Sequence, residues 1–135
     1  MNRIDLKGQH AVVTGGAQGL GLAMAKRFVA SDATVTLWDM DEERLEAARA
    51  QLGPAATTVW VDVSDWEAVD DARARTEEIG GPIAILVNSA GIAGPAGPLD
   101  TYDIAMWKKI IDINVNGTVY VNRTVVPGMN SRHLG

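Results

Sequence analysis

The chain has 135 residues, 47% of them hydrophobic, which suits one globular domain burying about two-thirds of its unfolded surface. Its 17 Asp and Glu outnumber its 12 Lys and Arg, leaving a net charge of −5 and arguing against nucleic acid or an anionic membrane as the main partner. The absence of cysteine excludes a disulfide framework, and two isolated histidines argue against a zinc site, so no metal is expected.

The opening stretch MNRIDLKGQH lacks the apolar core of a signal peptide, and no apolar run approaches the ~20 residues of a membrane span. The expectation is a soluble, cytoplasmic protein. Its first element is a strand, HAVVT at 10–14, followed by a glycine-rich turn and a helix over 19–30. A second strand, ATVTLW at 33–38, leads to a helix over 41–52 with Leu45, Ala48 and Leu52 on one face and Gly53-Pro54 as its stop. A third strand, TTVWV at 57–61, precedes a helix over 65–79. There the sequence predicts a capping box of Ser64 with Glu67 and a stack of Trp66, Val69, Ala72 and Ile79.

After Gly80-Gly81-Pro82 comes a fourth strand, IAILV at 83–87, then the loop AGIAGPAGP and helical material over 103–130. Within it, IIDINVNGTVYV reads as a buried helix with Asn114 set into its apolar face. An unsatisfied amide there costs about 1–3 kcal/mol, so hydrogen-bond partners are expected. The four strands lack the alternation of a strand with one wet face, and helices separate them. This pattern predicts a doubly wound parallel α/β sheet with right-handed crossovers.

Each strand ends in a polar or glycine-rich group: Thr14 with GGAQGLG, Asp39, Asp62, and NSAG at 88–91. In an open parallel sheet, ligands bind outside these carboxyl ends. Gly15, Gly19 and Gly21 would let the backbone turn sharply and bring the next helix's free N–H groups to a pyrophosphate. A P-loop fails on spacing, because Gly16 leads to Gly21-Leu22 with no lysine. The GxGxxG pattern fails at Met24, leaving TGxxxGxG. Asp39 lies about 20 residues beyond the turn, where a carboxylate receives ribose hydroxyls and repels a 2′-phosphate. With no basic residue in the turn or directly after Asp39, NAD is favoured over NADP. Asp39 or Asp41 could equally cap the 41–52 helix.

Tyr102 and Tyr120 have no lysine four residues on and read as packing or surface residues; His10 and His133 read as structural. The tryptophans at 38, 60, 66 and 107 read as core or half-buried packing.

TGGAQGLG, LWD ending at Asp39, VDV at 61–63, NSAG at 88–91 and NVNG at 114–117, in this order, resemble the short-chain dehydrogenase/reductase family from about Gly8 onward. The nearest flavour is the 3-oxoacyl-carrier-protein reductase and sugar or polyol dehydrogenase group. The resemblance implies a Rossmann-type fold with strand order 3-2-1-4 and hydride transfer between NAD and a small alcohol or carbonyl substrate. By the resemblance, Gly15, Gly19 and Gly21 cradle the pyrophosphate, flanked by Gln18 and Leu20. Asp39 holds the ribose, and Asp62 with Val63 the adenine. Asn88, Ala90 and Gly91 support the fourth strand and meet the cofactor, with Ser89 where the family usually has a second Asn. Asn114 matches a catalytic asparagine that kinks its helix and helps hold a relay water.

The resemblance also implies a catalytic Ser and a YxxxK beyond a fifth strand, and no YxxxK occurs in this sequence. The expectation is therefore one NAD-binding domain over 1–135, ending before a fifth strand and inactive alone. Its uncovered strand-four edge calls for the rest of the protein, a second copy or another partner. A non-catalytic dinucleotide-binding module is the main alternative. A methyltransferase-like domain is disfavoured by NSAG and NVNG.

Overall fold

Four parallel strands run β1 (His10–Thr14), β2 (Thr34–Asp39), β3 (Ala56–Trp60) and β4 (Ile85–Asn88), side by side in the order β3-β2-β1-β4. The computed structural model describes residues 3–133; Met1, Asn2, Leu134 and Gly135, the outer residues of the two terminal stretches, lie outside it. Register aligns Thr14 with Trp38 and Asn88, and Asp39 with Trp60, so the strand ends form one crest. The strands begin or end within two residues of the predicted limits, and the expected order is met.

Alternation within the central strand explains why both faces are covered. Ala11 and Val13 pack with Val35 and Leu37 against Ala25 of α1 (Gly19–Ala30) and Leu45 and Ala48 of α2 (Glu42–Leu52). Val12 points the other way and joins Trp38, Val59, Val69 and Ala72 of α3 (Trp66–Gly80), and Val121 and Val125 of α5 (Gly117–Ser131). A strand buried on both sides needs apolar residues at every position, hence the continuous runs. β4 is different: its residues are half-buried or exposed, and among the described residues it pairs with β1 alone.

Several local expectations are corrected. Asp65, not Ser64, caps α3, accepting the Ala68 N–H at 3.2 Å, because the Ser64 hydroxyl is turned back to Asp62. Ile79 is 50% exposed; the buried place on that face goes to Thr76, whose hydroxyl accepts the Trp38 indole N–H at 2.9 Å. Trp38 is fully buried, Trp66 is half-buried against Tyr120 and under the Arg123 guanidinium, and Trp107 is half-buried edge-on to Tyr102, but Trp60 is more than half exposed. His10 is structural as expected: buried, it donates from Nδ1 to the Gly81 carbonyl and bonds Thr36 through Nε2.

The helical stretch after β4 is not one continuous α-helix. α4 (Ile104–Ile111) passes through a π-type turn at Asp112–Asn116 into α5. Asn114 sits in this widened turn and is exposed, not buried as the sequence suggested. Such turns recur at functional sites.

Candidate functional site

The crest of the sheet opens into a cleft of about 780 Å³. One wall is the glycine turn, another the end of β2 with the start of α2, and the floor holds Val61, Val63 and Ala90. Of the residues singled out in the sequence, Gly15, Gln18, Gly19, Leu20, Asp39, Val63, Ala90 and Gly91 line it. Asp62, Asn88 and Asn114 do not, and Gly21 lies beneath the turn.

Each glycine has its own reason. Gly15 has φ +62°, and a Cβ there would stand 2.8–2.9 Å from the backbone of Ser89 and Ala90. Gly21 allows α1 to close on the turn, since its Cβ would approach the Gly15 carbonyl oxygen to 2.3 Å. At Gly19, φ is +57° and a Cβ would meet nothing, because this position faces the open cleft.

The beginning of α1 is bare. Gln18 provides no side-chain cap and the first turn has no acidic residue. The first turn of this helix closes with the Leu22 N–H on the Gln18 carbonyl, so the amides before it have no partner within the helix. Such an end carries partial positive charge and favours an anion. The end of β2 and the start of α2 add Asp39, Asp41, Glu42 and Glu43 to the lining, and among the described residues no Lys or Arg joins them. Asp41 caps α2 through the Arg44 N–H at 3.0 Å, which decides between the two candidate caps.

Thr14, which the sequence marks only as the polar end of β1, ties β1 to the loop after β4. Its buried hydroxyl oxygen accepts the N–H groups of Ser89 and Ala90, both at 3.1 Å. The available signal was a hydroxyl residue closing an otherwise apolar buried strand. Asn114 acts on the same loop: its Oδ1 accepts the Ile92 N–H and its Nδ2 donates to the Ile92 carbonyl, both at 2.8 Å. Its amide thus has the partners the sequence demanded, although it is exposed. Gly91 leaves room for this pairing, as a Cβ would lie 3.2 Å from Asn114 Oδ1. Farther along the loop, the Tyr102 hydroxyl donates to the Pro95 carbonyl at 2.8 Å.

Asp62 and Asn88 are engaged elsewhere. Asp62 Oδ1 accepts from the Ser64 N–H and hydroxyl, and Asn88 donates to Asn122 Oδ1 at 3.2 Å. Among the described residues no group of three His, Asp or Glu side chains could hold a metal ion, and no helix is long and apolar enough to cross a membrane.

Comparison with known proteins gives the same picture. A family model described as short chain dehydrogenase matches residues 9–135. The 2-dehydro-3-deoxy-L-rhamnonate dehydrogenase (NAD(+)) of Sphingomonas sp. (strain SKA58) is 42% identical over 128 residues, covering 95% of this chain and 51% of the relative. An NADP-dependent 3-hydroxy acid dehydrogenase of Salmonella typhi is 34% identical, over 92% of this chain and 50% of its own length. The crystal structure of 3-ketoacyl-(acyl-carrier-protein) reductase from Brucella melitensis complexed with NADH superposes with a TM-score of 0.91 at 31% identity. That match covers 94% of this chain and 52% of the other. The chain thus spans about half the length of these relatives, two of which are named for one nicotinamide cofactor and one for the other. Fold, strand-end motifs and the near-complete family match together establish that this chain belongs to the short-chain dehydrogenase family.

Proposed function

We propose that the protein is an NAD-dependent oxidoreductase that moves hydride between nicotinamide and a small alcohol or carbonyl substrate, with residues 1–135 forming its NAD-binding domain. The observation that carries this reading is the uncapped start of α1 in one cleft with Asp39. The cleft suits a dinucleotide: open space at Gly19 for a phosphate and a carboxylate for ribose hydroxyls. In the proposal Gly15, Gln18, Gly19, Leu20 and Gly21 shape the phosphate site. Asp39 takes the ribose and Val63 borders the adenine, with Asp62 bracing its loop through Ser64. Ala90 and Gly91 form the floor under the cofactor, and Asn88 steadies the end of β4.

Bound NAD would supply the hydride acceptor, and the chain's own residues bind and orient it. Asn114 positions the loop at Ile92 beside the cofactor floor. These 135 residues hold no Tyr followed four positions later by Lys, so the proton donor must come from elsewhere in a complete enzyme. NAD is preferred to NADP because Asp39 and three further carboxylates line the cleft without a cation. A cytoplasmic setting and a homo-oligomer, or a partner over the β4 edge, belong to the same reading. The exposed Ile104, Trp107, Val115 and Val119 offer apolar surface for such contact.

Calorimetric titration with both cofactors tests the reading. The protein should bind NAD more tightly than NADP, and Asp39→Ala should weaken NAD binding about tenfold, or about 1.4 kcal/mol. The NADP disadvantage should narrow without inverting, since Asp41, Glu42 and Glu43 remain. Unchanged titrations with both cofactors would remove Asp39 from the ribose site. NAD binding without turnover by the complete protein would favour a dinucleotide-binding module instead.

A further inference from the structure

Asp39 does more than face the cleft. Its Oδ2 accepts the backbone N–H of Ala17, 22 residues earlier in the middle of the glycine turn, at 3.2 Å. Its Oδ1 accepts the N–H of Asp41 at 3.2 Å, fixing the carboxylate plane at the start of α2. The turn's other tie to β2 is a long bond of 3.4 Å from the Gly16 N–H to the Trp38 carbonyl. Ala17 is 5% exposed, so water has little access to replace the carboxylate. The turn is also a segment that needs holding: it is bounded by Gly15 and Gly19 at positive φ, and α1 begins without a side-chain cap.

From this geometry we infer that Asp39 is a positioning residue for the anion-binding turn as well as the ribose acceptor, coupling the two ends of the cofactor site through the Ala17 N–H. The inference rests on the proposed NAD reading and extends it. One oxygen of the carboxylate holds the turn that presents the α1 amides, and the other is braced by α2. Each oxygen keeps lone-pair capacity for a ribose hydroxyl. Losing the carboxylate should therefore weaken binding of a phosphate group that Asp39 does not touch. Electrostatics alone predicts the opposite sign, because removing a negative charge from the cleft favours an anion.

The test uses inorganic pyrophosphate, which has no ribose, with wild type, Asp39→Ala and Asp39→Asn. Amide exchange at Ala17 is followed by NMR in the ligand-free protein. In Asp39→Ala the Ala17 amide should exchange about tenfold faster relative to Leu37 in the centre of β2, whose exchange follows the global stability. Pyrophosphate affinity should fall about fivefold at a temperature where each variant remains folded, although the melting temperature drops by several degrees because the Ala17 and Asp41 N–H groups lose their acceptor. Asp39→Asn, which keeps one acceptor oxygen, should recover part of both effects; if Asp39→Ala fails to fold, this variant decides by the same readouts. An unchanged Ala17 exchange rate, or pyrophosphate binding as tight as wild type or tighter, would overturn the positioning role. If wild-type protein bound neither NAD nor pyrophosphate, the cofactor reading would fall and the coupling with it. If it bound both and the variants bound pyrophosphate normally, only the coupling would fall.

Discussion

Thr14→Val isolates the hydroxyl that joins β1 to the loop after β4. The two side chains have nearly the same shape, so the change opens no cavity at a residue only 1% exposed. What it removes is the acceptor for two N–H groups, those of Ser89 and Ala90, each at 3.1 Å. At about 1 kcal/mol per hydrogen bond, with a further penalty for partly buried amides left unpaired, the loss should be about 2–3 kcal/mol. In a domain of this size that lowers the melting temperature by roughly 6–12 °C. Urea unfolding of wild type, Thr14→Val and Thr14→Ser gives the comparison. Thr14→Ser keeps the oxygen and loses one methyl group, about 1 kcal/mol. The expected order of stability is wild type, then Ser, then Val. An argument from hydrophobicity alone places Val above Ser, so a Val variant as stable as the Ser variant would refute the role assigned to the hydroxyl.

Gly21→Ala should destabilise the protein by more than about 3 kcal/mol in the same assay, because its Cβ would press into the Gly15 carbonyl. Gly19→Ala should cost only about 1 kcal/mol for its left-handed backbone, yet weaken NAD binding, since the methyl group enters the open cleft. Asn114→Ala should speed amide exchange at Ile92 and cost about 1 kcal/mol, the low end for two bonds, because solvent reaches this site. The Asp70 carboxyl is held below its ordinary pKa first by the Thr124 hydroxyl and then by Arg73. Its contribution to stability is present above the unfolded carboxylate value of about 3.9 and is lost as pH falls through the lower folded value. Asp70→Asn should therefore change stability little near neutral pH, where screening weakens a half-exposed pair, and flatten the decline during acid titration. An unaltered acid limb would remove Asp70 from that account.

The carboxyl-end crest was legible because it depends on local patterns. A strand buried on both faces must be apolar throughout, and positions 15 and 19 adopt backbone that glycine enters without strain. Expectations failed where competing partners, near or far along the chain, decide. Asp65 took the α3 cap because the Ser64 hydroxyl found Asp62 instead. Ile79 follows the helical period but extends past the packed part of α3, so its side chain remains in solvent. Asn114 reads as buried from its apolar neighbours, yet the loop at Ile92 covers its amide without enclosing it.

The sequence by itself determined the parallel α/β class, the glycine turn and the carboxylate beyond the second strand, since each follows from residue type at fixed spacing along the chain. Only the tertiary structure decided what those groups touch. That the Thr14 hydroxyl holds Ser89 and Ala90, that Asp39 reaches back to Ala17, and that Asn114 clasps Ile92 are contacts across 22 to 76 residues. Their distances follow from how parallel strands align at one edge of a sheet, and no local pattern encodes that alignment.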